Sequence, residues 1–178
     1  MQSLLIKIGI GKGVYSMLNF LKKTSSNCVI KAPANGRCVA LEDLKDGMFS
    51  EKMLGDGVAI DTTGDVVCAP CDGVITAIVP SKHAFAMKLK NGLELLVHIG
   101  LETVSLNGEG FTILAEVDEK VKVGTPIIKM DRAFIEGKGL SLITPVIIVG
   151  EQEYDLNKCA IGQQVTTAES SIMEVKLK

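Results

Sequence analysis

Short apolar runs alternate with turn residues along most of the chain. The runs are rich in Val and Ile and are separated by Gly, Pro, Asn-Gly and Asp-Gly. β-Branched residues favour strands, and these turn residues favour hairpins. Strands are expected within KVKVGTPIIKM (120–130) and SLITPVIIV (141–149), whereas LEDLKDGMF (41–49) is expected to form one turn or a short helix. The pattern predicts an all-β fold, an antiparallel β-sandwich or flattened barrel with few short helical turns.

A short internal repeat supports this prediction. APANGRCVAL (32–41) and APCDGVITAI (69–78) both start with Ala-Pro, continue into Asn-Gly or Asp-Gly, and end in an apolar strand. Similar segments at two places in one chain indicate a duplicated structural unit. We therefore expect two similar β motifs packed face to face.

The first 26 residues differ from the domain predicted over residues 27–178. VYSMLNFLKK (14–23) has apolar residues at helical spacing, followed by two lysines. One interpretation is a flexible tail, and the other is an amphipathic helix that makes peripheral contact with a membrane or a partner. GIGKGVYS (9–16) is not a phosphate-binding loop, because Gly13 rather than Ser or Thr follows Gly11-Lys12.

Composition narrows the class of protein. The chain has 178 residues, 47% of them hydrophobic and only 4% aromatic, so the core must be aliphatic. Lysines and arginines number 19 and acidic residues 21, and no basic patch stands out, so nucleic acid is not an expected partner. Five cysteines and the lack of a secretory signal predict free thiols in the cytoplasm. No apolar run approaches the roughly 20 residues that span a bilayer.

Two cysteines form the motif CAPC (68–71). Redox chemistry favours such a motif at a helix N-terminus, and structural zinc needs a second pair of ligands. Here Pro70 and Asp72-Gly73 predict a strand that enters a turn, and no second ligand pair is suitably spaced. We expect Cys68 and Cys71 to fill small apolar positions in the packing.

The only two histidines lie on one predicted hairpin, SKHAFAMKLKNGLELLVHIG (81–100). A two-residue turn at Asn91-Gly92 pairs Leu89 with Glu94 and places Phe85 opposite His98, with His83 diagonal to it on the same face. A four-residue turn keeps this pairing, but a three-residue turn with a bulge reverses the faces. The expected pairing therefore brings the two imidazoles close together.

The same pairing divides the hairpin into two faces. Leu93, Leu95, Val97 and Ile99 form the better core stripe. The other face is expected to be less buried and to surround the histidines with apolar side chains suited to docking a protein, namely Phe85, Met87 and Leu96. Two histidines on such a face fit three chemistries: a metal site with a third ligand, general acid–base catalysis, or nucleophilic attack on phosphorus by one imidazole.

GLELLVHIGLETV (92–104) resembles the phosphorylation-site segment of a bacterial family. The family is the glucose-type IIA domains of the phosphoenolpyruvate-dependent sugar phosphotransferase system, which carry His-apolar-Gly-apolar-x-Thr-Val after a glycine and an apolar run. The resemblance runs in order from about residue 28 to the C-terminus. Its other landmarks are APANG (32–36), GDGVAI (55–60), APCDGVI (69–75), HAF (83–85), NGEGF (107–111), VKVG (121–124) and LITPVII (142–148).

This resemblance implies an antiparallel sandwich that carries a phosphoryl group from the phosphocarrier HPr to a cysteine of a permease IIB domain. It implies that His98 is phosphorylated on Nε2 and that His83 is its phosphate-stabilising partner. Ser81 stands where the family usually has a threonine that hydrogen-bonds the partner histidine. Backbone near Gly100 is expected to fix the tautomer of His98, since glycine allows close approach of the chain. The resemblance implies no metal and no cofactor.

Glu102 stands where an aspartate is common in the family, and Val104 is expected to belong to the docking surface. Regulatory proteins are further possible partners of such a surface. The sugar is not specified by these residues.

Three other classes of protein share parts of this pattern. A lysostaphin-type zinc endopeptidase needs a His-x-His pair with a further His and Asp, and the chain has too few histidines. A biotinyl or lipoyl carrier is suggested by VKVGTPIIKMD (121–131), but Lys129 does not stand in Met-Lys-Met. A purely regulatory binding protein remains an alternative, with the hairpin face as its docking surface.

Overall fold

Residues 27–178 form three antiparallel β-sheets in the computed structural model, which describes this part of the chain. The predictions for the N-terminal tail lie outside the described residues. In spatial order, the largest sheet contains β13 (Gln164–Val165), β2 (Gly36–Ala40), β3 (Asp56–Thr62), β11 (Ile143–Val149), β7 (Glu94–His98), β6 (Ala84–Leu89), β5 (Gly73–Ile78) and β9 (Lys120–Val121). The second contains β1 (Asn27–Lys31), β14 (Ser171–Leu177) and β12 (Tyr154–Lys158). The third contains β4 (Val66–Cys68), β10 (Pro126–Met130) and β8 (Phe111–Ile113).

Helical structure within residues 27–178 is limited to short segments. Helix α1 spans Arg132–Gly137, and the side chain of Asp131 caps it by accepting a hydrogen bond from the Phe134 N–H. Two 3₁₀ turns span Leu41–Asp43 and Thr103–Leu106. The predicted antiparallel β-sandwich with few helical turns is confirmed. None of the helices described is long and apolar enough to cross a membrane.

The core between the sheets is aliphatic, as the composition predicts. Its largest fully buried side chains include Ile30, Leu41, Ile60, Ile75, Leu93, Leu95, Ile99, Ile127 and Ile128. Burying one such side chain stabilises the fold by about 1.5–3 kcal/mol relative to leaving it exposed. The sheets therefore provide a rigid frame for the residues at their edges.

Each repeated segment is hydrogen-bonded to the residue that precedes the other segment. The Lys31 N–H donates to the Pro70 carbonyl, and the Cys68 N–H donates to the Pro33 carbonyl, both at 2.8 Å. Each segment continues into a strand, β2 or β5, that lies second from one end of the eight-stranded sheet. A Cβ at Gly36 would lie 2.2 Å from the carbonyl oxygen across the strand, and a Cβ at Gly73 would lie 2.4 Å from its counterpart. The repeat therefore builds two equivalent positions in one sheet.

The β6–β7 hairpin has a different register from the predicted one. His98 pairs with Ala84 instead of Phe85. The Leu89 N–H donates to the Leu93 carbonyl, so three residues form the turn, with Gly92 at φ +92°. The expected two-residue turn is therefore wrong, and the odd number of turn residues exchanges the two faces of β6 relative to β7.

This register changes the expected docking residues. Phe85 and Met87 are fully buried in the core, because the three-residue turn points them to the same side as Leu95 and Val97. The prediction that Phe85 and Met87 belong to an exposed docking surface is therefore wrong. The predicted core stripe on the second strand is confirmed, since Leu93, Leu95, Val97 and Ile99 are fully buried.

Candidate functional site

The two histidine rings meet at one end of the β6–β7 hairpin. Their centroids are 4.6 Å apart, and their planes are inclined at 76°. His98 is the last residue of β7, whereas His83 precedes β6 and follows Lys82, whose φ is +55°. The Ile99 N–H donates to the His83 carbonyl at 2.7 Å and joins the two segments. The rings are thus brought together by the turn before β6, although the predicted strand pairing was wrong.

Each histidine has a hydrogen-bond partner for its Nδ1 atom. The Nδ1 of His98 lies 2.9 Å from the carbonyl oxygen of Gly100. Because a carbonyl oxygen only accepts, this Nδ1 carries the proton and Nε2 of a neutral ring keeps its lone pair. The Nδ1 of His83 lies 2.9 Å from the hydroxyl of Ser81. Ser81 and Gly100 therefore occupy the places that the sequence predicts for them.

The turn at Gly100 is held tightly. Gly100 has φ +75°, and a Cβ there would lie 2.5 Å from Cγ2 of Thr103 and 2.6 Å from the carbonyl oxygen of Ser141. The hydroxyl of Thr103, which is fully buried, donates to the Ile99 carbonyl at 2.6 Å. The Leu101 N–H donates to the Ser141 carbonyl at 3.0 Å. These contacts hold in place the Gly100 carbonyl, which accepts the hydrogen bond from Nδ1 of His98.

Burial favours the neutral form of both imidazoles. Burial and, to a smaller extent, the nearby His83 lower the pKa of His98 to about 4, against the Gly100 carbonyl and Asp46, which favour the charged ring. Burial also lowers the pKa of His83. A neutral imidazole with a free Nε2 is the form in which a histidine can act as a nucleophile.

Two residues that the sequence reasoning missed lie beside His98. The ring centroid of Phe49 is 5.0 Å from that of His98, with the planes inclined at 59°. Asp46 accepts hydrogen bonds from the Phe49 and Ser50 N–H groups at 2.9 and 3.1 Å, which folds the segment into a compact turn. Asp46-Gly47 is a turn signal in the sequence, but local pattern does not show that this turn packs against β7.

Exposed apolar side chains occur in the two segments whose residues Phe49 and Gly100 contact His98. Met48, Met53 and Leu54 belong to the segment that carries Phe49, and Met53 is 71% exposed. Val104 is 56% exposed and follows the Gly100 turn. Leu96 is half-buried against the small cluster that contains Phe49. Of the four predicted docking residues, Val104 is exposed, Leu96 is half-buried, and Phe85 and Met87 are buried in the core.

The cysteines lie away from this chemistry. Cys68 and Cys71 are buried, as expected for residues that fill apolar positions, and all five thiols are free. Contact with Cys28 and burial raise the pKa of the Cys71 thiol. Within residues 27–178, no three His, Cys, Asp or Glu side chains come together as metal ligands.

A protein-family model matches the chain. It is the model for the phosphoenolpyruvate-dependent sugar phosphotransferase system, EIIA 1, and it matches residues 28–154. The match covers most of the β-sandwich, including both histidines.

Curated relatives and a solved structure agree with this match. A glucose-specific EIIA component of Staphylococcus epidermidis is 38% identical over 154 residues, which are 86% of this chain and 93% of that protein. A glucose-specific EIIA component of Haemophilus influenzae is 42% identical over 149 residues, 83% of this chain and 88% of that protein. The glucose permease IIA of Mycoplasma capricolum superposes with a TM-score of 0.73 at 32% identity, over 83% of this chain and 95% of that one.

Proposed function

The chain belongs to the EIIA 1 family of the phosphoenolpyruvate-dependent sugar phosphotransferase system, and from this we propose that His98 is the residue that becomes phosphorylated. A phosphocarrier role in sugar uptake follows from the family. The further proposal rests on one observation, the 2.9 Å contact between Nδ1 of His98 and the Gly100 carbonyl. This contact leaves Nε2 as the only free nitrogen of the ring, on a half-buried imidazole whose neutral form is favoured.

The proposed reaction has two transfers through one nitrogen. Nε2 of His98 attacks the phosphorus of phospho-HPr, a new P–N bond forms, and the P–N bond to the HPr histidine breaks. A cysteine thiolate of the IIB domain then attacks the same phosphorus, and His98 leaves as a neutral imidazole. Phosphoryl transfer of this kind needs positioning and charge stabilisation more than covalent machinery. The Gly100 carbonyl supports the partial positive charge that develops on the His98 ring.

His83 is proposed to stabilise the phosphoryl oxygens. Its Nδ1 is engaged by Ser81, and a hydroxyl that donates to Nδ1 leaves the proton on Nε2 as a hydrogen-bond donor. With ring centroids 4.6 Å apart, the rings are close enough for that donor to reach a phosphoryl group on Nε2 of His98. His83 is only 6% exposed, and an interaction with phosphate is strong in such a poorly solvated place.

The exposed apolar residues around the site are proposed to dock HPr and the IIB domain in turn. Met48, Met53, Leu54 and Val104 offer the flexible and aliphatic surface that a transient protein interface uses. Since the relatives carry the description glucose-specific, the IIB domain of a glucose permease is the first acceptor to test. HPr as donor implies a cytoplasmic location. Regulatory proteins and peripheral membrane contact by the tail remain predictions.

The test is phosphorylation with phosphoenolpyruvate, enzyme I and HPr. The wild type is expected to take up one acid-labile phosphoryl group, and His98→Ala is expected to take up none, because Nε2 is the proposed acceptor. His83→Ala serves as the matched control, since it removes the neighbouring imidazole and keeps the acceptor. It is expected to accept the group and to pass it to IIB at least tenfold more slowly. Acid-labile label in His98→Ala would refute the assignment, and unchanged transfer in His83→Ala would limit that residue to packing.

A further inference from the structure

A cluster of lysines lies at the opposite end of the same hairpin from the histidines. Lys88 of β6 and Lys120 of β9 both pair with Val74 of β5, so the three side chains form one row across the sheet. Cross-strand neighbours in such a row have Cβ atoms about 4.5–5.5 Å apart. Two lysines thus flank one valine on the outer face of the sheet.

A second row continues this arrangement. Asp72 lies two residues before Val74, with its Oδ2 atom 2.6 Å from Nζ of Lys90 and its Oδ1 atom accepting from the Val123 N–H at 3.1 Å. Lys90 and the Val123 N–H are the main causes of the lowered pKa of Asp72, and Lys122 contributes to it. The charge of Lys122 therefore also lies near this carboxylate. We call the resulting concavity the lysine cleft, which encloses about 570 Å³ and is lined by Asp72, Val74, Thr76, Lys88, Lys90, Lys120 and Lys122 together with backbone of the neighbouring residues.

The lysine cleft carries excess positive charge. Four lysines against one aspartate give it a formal charge of +3, although the whole chain has a formal charge of −2. Lys90 and Asp72 pair with each other, whereas Lys88, Lys120 and Lys122 form no ion pair with any described residue. Glu94 is opposite Lys88 in the register but does not form an ion pair with it. Three unpaired positive charges around one concavity are more than a bound molecule with one carboxylate could neutralise.

We propose that the lysine cleft binds the phosphate group of a small organic phosphate ester. A phosphate monoester carries close to two negative charges at neutral pH, and lysine ammonium groups bind phosphate as point charges. Val74 and the aliphatic stems of the lysines offer apolar surface to the organic part of the ligand. The hydroxyl of Thr76 adds a donor at the bulge of β5. The volume lies in the range of small-molecule sites.

A phosphate ester occurs both in soluble metabolites and in lipid headgroups, so the test has two arms. In the first, glycerol 3-phosphate is titrated into the ¹⁵N-labelled protein at low salt. Amide shifts are expected at residues 73–76 and 120–123, with a millimolar dissociation constant that weakens as salt is added. In the second, the protein is sedimented with vesicles that contain phosphatidic acid, whose headgroup is a phosphate monoester, and phosphatidylcholine vesicles serve as the neutral comparison.

Matched variants separate the lysine cleft from general charge. Lys88→Gln/Lys120→Gln removes two charges within the cleft, and Lys129→Gln/Lys176→Gln removes two from exposed positions elsewhere. The first variant is expected to weaken binding at least tenfold, and the second to change it less than twofold. Binding of glycerol 3-phosphate with this pattern supports a soluble ligand, and the same pattern with vesicles alone assigns the phosphate to a lipid.

Two results would overturn the proposal. One is the absence of specific binding, seen either as no binding in both arms or as equal losses of affinity in the two double variants. The lysines would then serve only to protect the edge strand β9 from pairing with another chain. The other is a set of shifts confined to residues 98–100, which would place the phosphate at the histidine pair instead. A failure of His98 phosphorylation would not affect either result, so the two proposals can fail separately.

Discussion

The two ends of the β6–β7 hairpin handle charge in opposite ways. At one end, His83 and His98 are ionisable groups that burial keeps neutral. At the other, Lys88 and Lys90 are exposed cations, and Lys120 of β9 lies across β5 from Lys88. Both ends belong to one continuous pair of strands, so the difference comes from what surrounds each end and not from the strands themselves.

This difference shows what each kind of site achieves. Burial at the histidine end makes the position of each proton definite, which is what a transfer through one nitrogen needs. Exposure at the lysine end leaves the charges solvated and movable, which suits attraction of an anion but does not select one atom. Changes at the histidine end should therefore cost more free energy than changes at the lysine end.

The largest difference is expected between two glycines, one at each end. Gly100→Ala puts a Cβ within 2.6 Å of the Ser141 backbone carbonyl at φ +75°, so either the turn must move or the overlap remains. We expect it to lower the free energy of unfolding by at least about 3 kcal/mol and to abolish phosphoryl acceptance. Gly92→Ala, at φ +92° in the turn with no atom within 4 Å of its Cβ, should cost only about 1–2 kcal/mol.

Urea unfolding measures both glycine variants, and the phosphorylation assay measures their acceptance. Equal losses of stability would show that backbone strain alone matters at both turns. Normal phosphorylation of a folded Gly100→Ala protein would show that the carbonyl of Gly100 is not needed to orient His98.

The pH dependence of stability should come from the histidine end. The pKa of His98 is about 4 in the folded chain and 6.5 in its ordinary state, so between these values the unfolded chain binds a proton that the folded chain lacks. Stability is therefore complete above about pH 6.5 and falls as the pH is lowered toward 4. Allowing for partial solvent screening, the loss is on the order of 1–3 kcal/mol.

Urea midpoints from pH 7.5 to 4.5 test this expectation in the wild type and in His98→Asn. The variant should lose most of the slope and keep a smaller part from His83, whose pKa is also lowered by burial. A slope that is the same in both proteins would mean that other groups cause the pH dependence.

A smaller effect is expected from Thr103, which acts on the site through the backbone. Thr103→Val keeps the shape of the side chain but removes the hydroxyl that donates to the Ile99 carbonyl. Loss of this buried hydrogen bond should cost about 1–2 kcal/mol. It should also loosen the Gly100 turn, so that ¹⁵N spectra of the His98 ring show less of the tautomer protonated on Nδ1.

Thr103→Ser is the matched control, because it restores the hydroxyl without the methyl group. It should recover the tautomer even if part of the stability is lost. If Thr103→Val leaves the ring spectrum and phosphorylation unchanged, Thr103 only fills space.

The contact between the two histidines was predicted from the sequence, but the strand register used to predict it was wrong. Asn91-Gly92 correctly predicted a hairpin, but its residue types do not decide between two and three turn residues, and one residue exchanges the faces. Burial of Phe85 and Met87 depended on that choice. The contact of Gly100 could be predicted, because a glycine two residues after His98 lets backbone approach the ring, whereas the contact of Ser81 was implied by the family resemblance.

Long-range contacts escaped prediction at both ends of the hairpin. Phe49 reaches His98 from a turn almost fifty residues earlier, and no local pattern indicates that contact. The lysine cluster was not predicted either, because Lys88 and Lys120 lie far apart in the sequence. Their strands, β6 and β9, come close because each pairs with one side of β5. A patch assembled by sheet topology has no signature in a linear count of charges.

The smallest effect is expected at the lysine end, from the ion pair between Lys90 and Asp72. The Lys90 side chain is 77% exposed, so solvent screens the pair and side-chain entropy opposes it. Lys90→Gln should change the free energy of unfolding by less than about 1 kcal/mol and leave phosphorylation of His98 unaffected, and Asp72→Asn should behave similarly while keeping an acceptor for the Val123 N–H. Urea unfolding and the phosphorylation assay measure these effects. A loss of more than about 1 kcal/mol in the free energy of unfolding, or slower phosphorylation of His98, would mean that the two ends of the hairpin are coupled. The contrast between a buried neutral end and an exposed charged end would then not explain the properties of either end.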